Sequence, residues 1–261
     1  MNRISQHSAI EICMTKFFGL LGEFIIFQVS VFTHIARIKH RFSEIVIQMK
    51  RIGYDSLLLI SVTSAFTGFV TSVQASYQTG GYIPKNLIGV LVGKSTMIEL
   101  APVLTALVLA GKVGASIAAE IGTMKVSEQI DALETMAIDP VDYIYLPRIL
   151  AGVIMLPILT IFSNIIGIFA AFCLSVLRYN INAYSFFTNM RDFFLPSDLW
   201  GGLVKAVFFG LIITTIGCFA GSKASGGAEG VGKVTTLTVV YSSICILIMD
   251  FFVAAILFGG S

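Results

Sequence analysis

Two long uncharged runs constrain the fold of this chain more than any other feature. Residues 56–84 and residues 149–177 each form a run of 29 residues without Asp, Glu, Lys or Arg. A helix needs about 20 apolar residues to cross the hydrocarbon core of a bilayer, so each run suffices for one span. Only 12% of the residues are charged, against about 25% in soluble domains. The sequence therefore predicts a membrane protein and excludes a water-soluble core.

Three further apolar segments complete the predicted bundle: residues 87–111, 199–221 and 234–258. Pro157 lies inside the run 149–177, where it is expected to kink the helix without ending it, because neighbouring helices can satisfy the freed carbonyl. No internal repeat or low-complexity segment divides the chain. We therefore predict an all-α membrane protein, one domain over residues 1–261, with a five-span bundle at about 56–258.

The amino-terminal segment, about residues 8–45, is predicted to be an interfacial helix. Lys16, Glu23, Ser30 and Arg37 recur every seven residues and so share one helical face. A helix with one charged stripe and an aromatic-rich remainder lies along a membrane more readily than through it. A sixth span remains the alternative. A signal peptide is disfavoured, because the basic cluster follows the apolar run and no small-residue cleavage site is present.

The distribution of basic residues predicts the orientation, because Lys and Arg accumulate on the cytoplasmic side. Ten lie on one side of the predicted spans: Arg37, Lys39, Arg41, Lys50, Arg51, Lys112, Lys125, Arg148, Lys223 and Lys233. The other side has Lys85, Arg178 and Arg191, with Lys94 and Lys205 inside nearby spans. This predicts a cytoplasmic amino terminus, a cytoplasmic loop at residues 112–148 and an external carboxyl terminus.

Several function classes are disfavoured by composition and motif. A formal net charge of +2 does not indicate a nucleic-acid partner. Residues 227–233, GAEGVGK, match the GxxxxGK pattern of a phosphate-binding loop, but Val234 replaces the Ser or Thr that ligates magnesium. We interpret this stretch as a flexible cytoplasmic turn. All three histidines precede the first span, and no metal site or catalytic constellation is predicted, so the chain is not expected to be an enzyme.

The loop at residues 112–148 holds six of the fifteen acidic residues. Within it, Val126 to Ile138 is predicted to form a short helix with Ser127 as its N-cap and Asp139-Pro140 as its end. This helix would carry acids beside an apolar stripe. It either inserts into a groove of a partner or packs on its own bundle.

Charges inside the spans predict a polar site within the membrane, where each is costly. Lys205 and Asp250 lie about 9 to 12 Å below the outer edge at 1.5 Å rise per residue, which predicts a structural ion pair. Glu99 has no comparable partner, because Lys94 is five residues away, about 140° round an α-helix. An unpaired acid beside Ala101-Pro102 is a candidate lining for a wet cavity.

The chain resembles a known family in two long runs. ELAPVLTALVLAGKVGASIAAEIGTMKVSEQIDALETMAIDP, continued by YLPRILAG, resembles the signature of MlaE-type permeases, membrane subunits of ABC transporters that move phospholipids between bacterial envelope membranes. GGAEGVGKVTTLTVVYSSICILIMDFFVAAILF is similar to the carboxyl-terminal signature of the same family, especially in its plastid lipid importers. TSAFTGFVTSVQAS extends the resemblance over nearly all of the chain from residue 55.

The resemblance implies a multi-pass protein of the bacterial inner membrane that forms a homodimer and carries phospholipid. It implies a cytoplasmic ATPase that binds ATP and Mg, so that this chain needs no cofactor, and a periplasmic lipid-binding protein with an MCE domain. The helix after span two would then be the coupling helix, with its acids docked to the ATPase and its apolar stripe in the ATPase groove. The coupling residues are Glu128, Gln129, Ile130, Asp131, Leu133, Glu134 and Met136.

We further expect an outward lipid cavity at the ends of spans one and two. Its predicted lining is Phe69, Val73, Gln74, Tyr77, Tyr82, Glu99 and Leu100. Packing of a dimer interface by the same residues is the alternative. Family members commonly have Arg-Glu where this chain has Ile98-Glu99, so direct phosphate binding at this position is in doubt. An ion-coupled secondary transporter and a membrane-embedded lipid-modifying enzyme are the competing functions.

Overall fold

The computed structural model describes residues 18–19, 21–34, 41–79 and 87–259, and every regular element in these ranges is helical. The helices are α1 (Leu21–His34), α2 (Phe42–Gly53), α3 (Leu57–Thr79), α4 (Ile88–Ser95), α5 (Ala101–Leu109), α6 (Ala115–Val126), α7 (Gln129–Thr135), α8 (Leu146–Tyr179), α9 (Ala183–Asp192), α10 (Pro196–Ser222) and α11 (Gly227–Phe258). Single turns of 3-10 or π-helix join several of them into longer rods: Tyr54–Ser56, Thr96–Leu100, Ala110–Gly114 and Val141–Tyr145.

The predicted fold class is confirmed. Five rods are long and apolar enough to cross a membrane: Phe42–Gln78, Ile88–Val126, Val141–Tyr179, Pro196–Ser222 and Gly227–Leu257. A shorter apolar helix, α1, precedes them. The helix α8 continues through Pro157, as expected. Successive rods run in opposite directions, so the bundle has an end that carries α7 and an end that carries α9, called here the α7 end and the α9 end.

The helix α10 lies at the centre of the bundle. It packs against α8, α6 and α11, while α8 packs on its other side against α3 and α2. In the apolar stretch of 18 residues that represents each rod, 61% of the residues are buried in the α10 rod and 17% in the α11 rod. The helix α11 is therefore peripheral and presents most of its surface to the surroundings of the chain.

Small and hydroxyl side chains hold α3 close to α8. Ser64 Oγ lies 2.7 Å from Ser163 Oγ, and Ser72 Oγ lies 2.9 Å from Ser175 Oγ. Between these two hydrogen bonds, a Cβ on Gly68 would collide with the Gly167 carbonyl oxygen. Membrane helices associate through close packing and interhelical hydrogen bonds, because lipid provides no hydrophobic drive between them. This seam is such an interface.

Glycines on α4 and α10 let other helices of the same chain approach closely. A Cβ on Gly89 would meet the carbonyl oxygen and ring of Phe186 on α9. Gly221 on α10 would meet Ala118 and Ile121 on α6 in the same way. These glycines therefore explain how α9 and α6 pack on the bundle.

The helix α1 packs across the α7 end. Phe24 and Phe27 contact the ring of Phe219 at centroid distances of 5.3 and 5.8 Å. Glu23, on the predicted polar stripe, lies 2.7 Å from Lys223 Nζ. Large apolar side chains cover the opposite face and are exposed: Phe18, Ile25, Ile26, Val29 and Phe32. Lys16 and Arg37 of the predicted stripe lie outside the described residues.

The structure differs from the sequence-based description at four places. The first rod begins at Phe42, so residues 42–45 belong to it and not to the interfacial helix. Residues 227–233 form the first two turns of α11 and not a flexible turn; the turn lies just before, where Gly226 has φ 85° and Gly227 has φ 73°. The helix α9 was not predicted; the Asn182 side chain caps it by accepting from the Tyr184 amide.

The fourth correction concerns the short helix after α6. The helix α7 spans only Gln129–Thr135, and its N-cap is Glu128, in the left-handed conformation at φ 59°. Ser127 is not a cap, because its hydroxyl donates back to the Thr123 carbonyl at 2.7 Å. The second rod thus continues to Val126, about four turns beyond the predicted end at residue 111, and a turn at Glu128 leads into α7.

Candidate functional site

A cavity of about 500 Å³ lies between the last turns of α3 and the start of the second rod. From α3 it is lined by Thr71, Gln74, Ala75 and Gln78, and from the second rod by Leu91, Lys94, Ser95, Ile98, Glu99 and Leu100. Polar side chains thus share the wall with aliphatic ones. An amphiphile needs both kinds of surface. We call this cavity, which lies near the α9 end, the mixed cavity.

A π-helical turn shapes the wall of this cavity. The turn spans Thr96–Leu100, between α4 and α5. Because a π turn contains more residues than an α turn, it rotates Glu99 toward the face that holds Lys94. Both residues line the same cavity. The prediction that Lys94 and Glu99 face apart, which assumed an uninterrupted α-helix, is therefore corrected.

Lys205 is the centre of a buried charge cluster behind Glu99. Its ammonium lies 2.5 Å from Glu99 Oε2 and 2.8 Å from Asp250 Oδ1, and its side chain is 0% exposed. The contact with Asp250 has the geometry of an ion pair and not of a directed hydrogen bond. The expected pair of Lys205 and Asp250 is present. The prediction that Glu99 lacks a partner is wrong, because Glu99 shares the same lysine.

Glu99 is the member of this cluster that faces the cavity. Its side chain is 45% exposed, against 15% for Asp250. On the same rod, Lys94 Nζ lies 3.4 Å from Asp198 Oδ2, in the first turn of α10. The cavity therefore has a carboxylate and an ammonium on one wall, each tied to α10 from behind.

The structure gathers only part of the predicted cavity lining. Gln74, Glu99 and Leu100 line the cavity. Phe69, Val73 and Tyr77 are exposed along the outer face of α3. Tyr82 lies outside the described residues. The predicted residues of α3 lie on two different faces of the helix, because residues three or four apart share a face. Gln74 and Gln78 lie on the face toward the cavity, and Val73 and Tyr77 lie on another face.

Sequence reasoning missed several lining residues. Lys94 was recognised as a charge inside a span but was not assigned to the cavity. Thr71, Gln78 and Ser95 were not singled out at all. The usable signal was the polar side chains at positions 71, 74 and 78 of an otherwise apolar helix, which is the spacing of one helical face.

A larger groove of about 750 Å³ lies between α2 and α8, on the half of the bundle toward the α7 end. It is lined almost entirely by hydrocarbon, including Ile45, Met49, Leu150 and Ile158, and its one charged lining residue is Lys50. No convergent polar groups line its interior. We therefore take the smaller, mixed cavity as the candidate site.

The short helix α7 is held by its own bundle. Ile130 is 3% exposed and belongs to the core, and Leu133 packs against that core. Met136 is 68% exposed. The prediction that Ile130 and Leu133 fill a partner groove is therefore corrected, because both are used internally. Of the apolar stripe, only Met136 projects outward.

The polar residues of α7 present a charged surface. Glu128, Gln129 and Glu134 are exposed, and Asp131 Oδ1 lies 2.5 Å from Lys125 Nζ at the end of α6. Gln129 Nε2 donates to Ser127 Oγ at 3.0 Å. Two of the four predicted acidic and amide positions thus have internal partners, and the carboxylates of Glu128 and Glu134 remain available at the surface. This surface is compatible with a basic partner.

Ion pairs tie the surrounding elements to this end. Glu120 on α6 lies 3.3 Å from Arg51 on α2 and 3.1 Å from Arg148 on α8. Arg41 lies 3.2 Å from Asp142 at the start of the third rod. These ion pairs join the first, second and third rods. A displacement of one of these rods near α7 would therefore also move the other two.

The sequence is similar to those of known membrane permeases. The family model "Permease MlaE" matches residues 45–256. The chain is 39% identical to "Probable ABC transporter permease protein" of Rickettsia bellii, covering 91% of this chain and 92% of the relative. It is 36% identical to "Intermembrane phospholipid transport system permease protein MlaE" of Haemophilus influenzae, covering 97% of each.

A plant relative is similar over a shorter part of its length. The chain is 36% identical to "Protein TRIGALACTOSYLDIACYLGLYCEROL 1, chloroplastic" of Arabidopsis thaliana, over 82% of this chain and 61% of that protein. The similarity to the bacterial relatives extends over nearly all of both chains. The residues matched by the family model, 45–256, span the cavity, the charge cluster and α7.

Proposed function

The chain belongs to the MlaE permease family, and on that premise we propose that it is the permease subunit of an ABC transporter that moves phospholipids between bacterial envelope membranes. The names of the Rickettsia and Haemophilus relatives support the transporter class, and the latter name supports the cargo. The mixed cavity supports the same cargo, since a phospholipid needs polar and aliphatic contacts together.

One observation carries this proposal: a single rod connects the cavity to the surface that would meet an ATPase. The rod Ile88–Val126 contributes Leu91 to Leu100 to the cavity and ends immediately before α7. Two π turns interrupt its α-helical geometry, at Thr96–Leu100 and Ala110–Gly114. Such turns occur frequently at functional sites. A push at α7 would therefore act on the cavity wall through one continuous element.

In this mechanism a separate cytoplasmic ATPase subunit binds ATP and Mg, and this chain supplies no cofactor site. Glu128 and Glu134 dock to basic side chains of the ATPase, and Met136 adds an apolar contact. Closure of the ATPase subunits moves α7 and rearranges the first, second and fifth rods, so that the cavity contracts and expels lipid. The basic residues near α7 support a cytoplasmic α7 end and amino terminus, in the bacterial inner membrane.

The assembly we propose contains two copies of this chain. The exposed side of α11 and the half-exposed carboxylate of Glu99 support this arrangement, because a charge inside a membrane normally faces protein or a wet cavity. A periplasmic MCE-domain protein at the α9 end would exchange lipid with the cavity. Ion-coupled transport is less favoured, since Lys205 engages both carboxylates that it would require.

The experiment that tests the proposal is purification of the full chain from bacterial membranes with its bound partners, followed by lipid mass spectrometry. We expect an ATPase subunit, an MCE-domain protein and stoichiometric phospholipid. Vesicles containing the purified complex should transfer phospholipid only with ATP. Transfer without ATP, or by the chain alone, would contradict the proposal.

A further inference from the structure

Two opposite charges lie on one wall of the cavity. Lys94 and Glu99 both line it, and they are five residues apart on the same rod. Both have long flexible side chains, and both are partly exposed, at 38% and 45%. A small molecule in the cavity can therefore contact an ammonium and a carboxylate at the same time.

The ammonium of Lys94 is only loosely held by the protein. Its distance of 3.4 Å from Asp198 Oδ2 is that of an ion pair, and Asp198 Oδ2 makes no hydrogen bond among the described residues. An ammonium has three donors. Lys94 therefore keeps donors available for an anionic group in the cavity, and phosphate oxygens are strong acceptors for such donors.

The cluster around Glu99 contains two carboxyl groups for one ammonium. Glu99 and Asp250 share the single ammonium of Lys205, so with all three groups ionised one negative charge remains. Glu99 is the more exposed of the two carboxylates. A purely anionic head group would meet this charge with repulsion, whereas a head group with its own ammonium would compensate it.

We propose that the cavity selects zwitterionic glycerophospholipids, with Lys94 contacting the phosphate and Glu99 contacting the head-group ammonium. This inference rests on the proposed function and adds to it the class of cargo. Leu91, Ile98 and Leu100 contact the adjoining glycerol and acyl carbons. Lys94 and Glu99 are specificity residues, and the buried Lys205 and Asp250 hold Glu99 in place.

The test uses the full chain with a benzoylphenylalanine photocrosslinker at Leu91, a cavity residue without charge. The chain is reconstituted in vesicles with equal amounts of phosphatidylethanolamine, phosphatidylglycerol and diacylglycerol that have identical acyl chains. Captured lipid is identified by mass spectrometry. We expect phosphatidylethanolamine to be captured about threefold more than phosphatidylglycerol, the size of one partly exposed ion pair.

Two substitutions separate the two contacts. E99Q should bring the capture of phosphatidylethanolamine and phosphatidylglycerol to about equality; Lys205 keeps Asp250 as its partner, so folding is retained. K94M should lower capture of both phosphate-bearing lipids relative to diacylglycerol by about threefold, and K94R should retain it. D192N is the matched control, because it removes an equal charge at the exposed end of α9, outside the cavity lining, and the head-group preference should persist.

Each contrary result has a distinct meaning. Equal capture of the two phospholipids by the unsubstituted chain overturns the head-group inference and leaves phospholipid transport intact. An equal loss of preference in D192N and E99Q overturns the assignment to Glu99. Capture of no phospholipid at all overturns the inference together with the proposed function.

Discussion

Lys205 on α10 lies with its Nζ 2.8 Å from Asp250 Oδ1 on α11, in a part of the bundle where the lysine has no exposed surface. Glu99 approaches the same ammonium from the second rod at 2.5 Å. Three rods are thus joined at one buried charge. Removing one partner of a buried ion pair is strongly destabilising, because the remaining charge is left uncompensated.

The first prediction concerns this cluster. K205D and D250K should each destabilise the protein by about 3–5 kcal/mol, since each places like charges together. The double exchange K205D/D250K should recover much of the loss, because a lysine at position 250 again faces two carboxylates. Thermal unfolding in detergent, followed by size-exclusion chromatography, measures the effect. A double variant no more stable than the single variants would refute the pairing.

The second prediction concerns the seam between α3 and α8. G68A should destabilise by about 1–3 kcal/mol, because overpacking forces helices apart, and its Cβ would collide with the Gly167 carbonyl oxygen. G232A is the control: this helical glycine has no heavy atom within 4 Å of an added Cβ, and alanine favours helix. Unfolding temperatures should fall for G68A and hold or rise for G232A. An unchanged G68A would contradict the close seam.

The third prediction separates the internal and external residues of α7. I130A should cost about 2–4 kcal/mol of stability, as for other buried aliphatic truncations, because Ile130 lies in the core. M136A should leave the unfolding temperature unchanged, since Met136 is exposed, and should weaken association with the ATPase. Thermal unfolding and co-purification measure the two effects. Equal destabilisation by both variants would contradict the assigned orientation of α7.

The fourth prediction tests coupling. E128K/E134K should reduce the phospholipid moved per ATP hydrolysed by about tenfold, which corresponds to roughly 1.4 kcal/mol of lost contact energy. Insertion into the membrane should be normal, because both side chains are exposed. E44K, which changes a partly exposed acid on α2, is the control and should retain coupling. Transfer and ATP hydrolysis in vesicles measure the ratio; full coupling in E128K/E134K would show that α7 is not the contact.

Much of the fold was predictable because hydropathy and length are local properties. Each of the five rods contains most of one predicted apolar segment, although the first, second, third and fifth rods extend beyond it, and α8 continues through Pro157. The helix α9 escaped prediction because its stability comes from burial of Phe186 against Phe172 and Gly89. That burial depends on contacts distant in sequence, which a local pattern does not contain.

The candidate site was predictable in part. Polar residues at the ends of the first two rods indicated a cavity, and Gln74, Glu99 and Leu100 line one. Phe69, Val73 and Tyr77 were assigned to it from proximity in sequence alone, but they lie on another face of α3. The rotation of a helix is set by what packs against it, here the hydroxyl and glycine seam with α8.

By itself, the sequence determined that the chain spans a membrane five times, that charges lie inside its spans and that a short acidic helix follows the second. These properties follow from local composition, because apolar segments are stable in lipid and charged segments are stable in water. Only the tertiary structure decided that Glu99 shares Lys205 with Asp250, that Lys94 faces the same cavity and that Ile130 belongs to the core. Such relations depend on a π turn and on the rotation and depth of packed helices, which are decided by the whole bundle together.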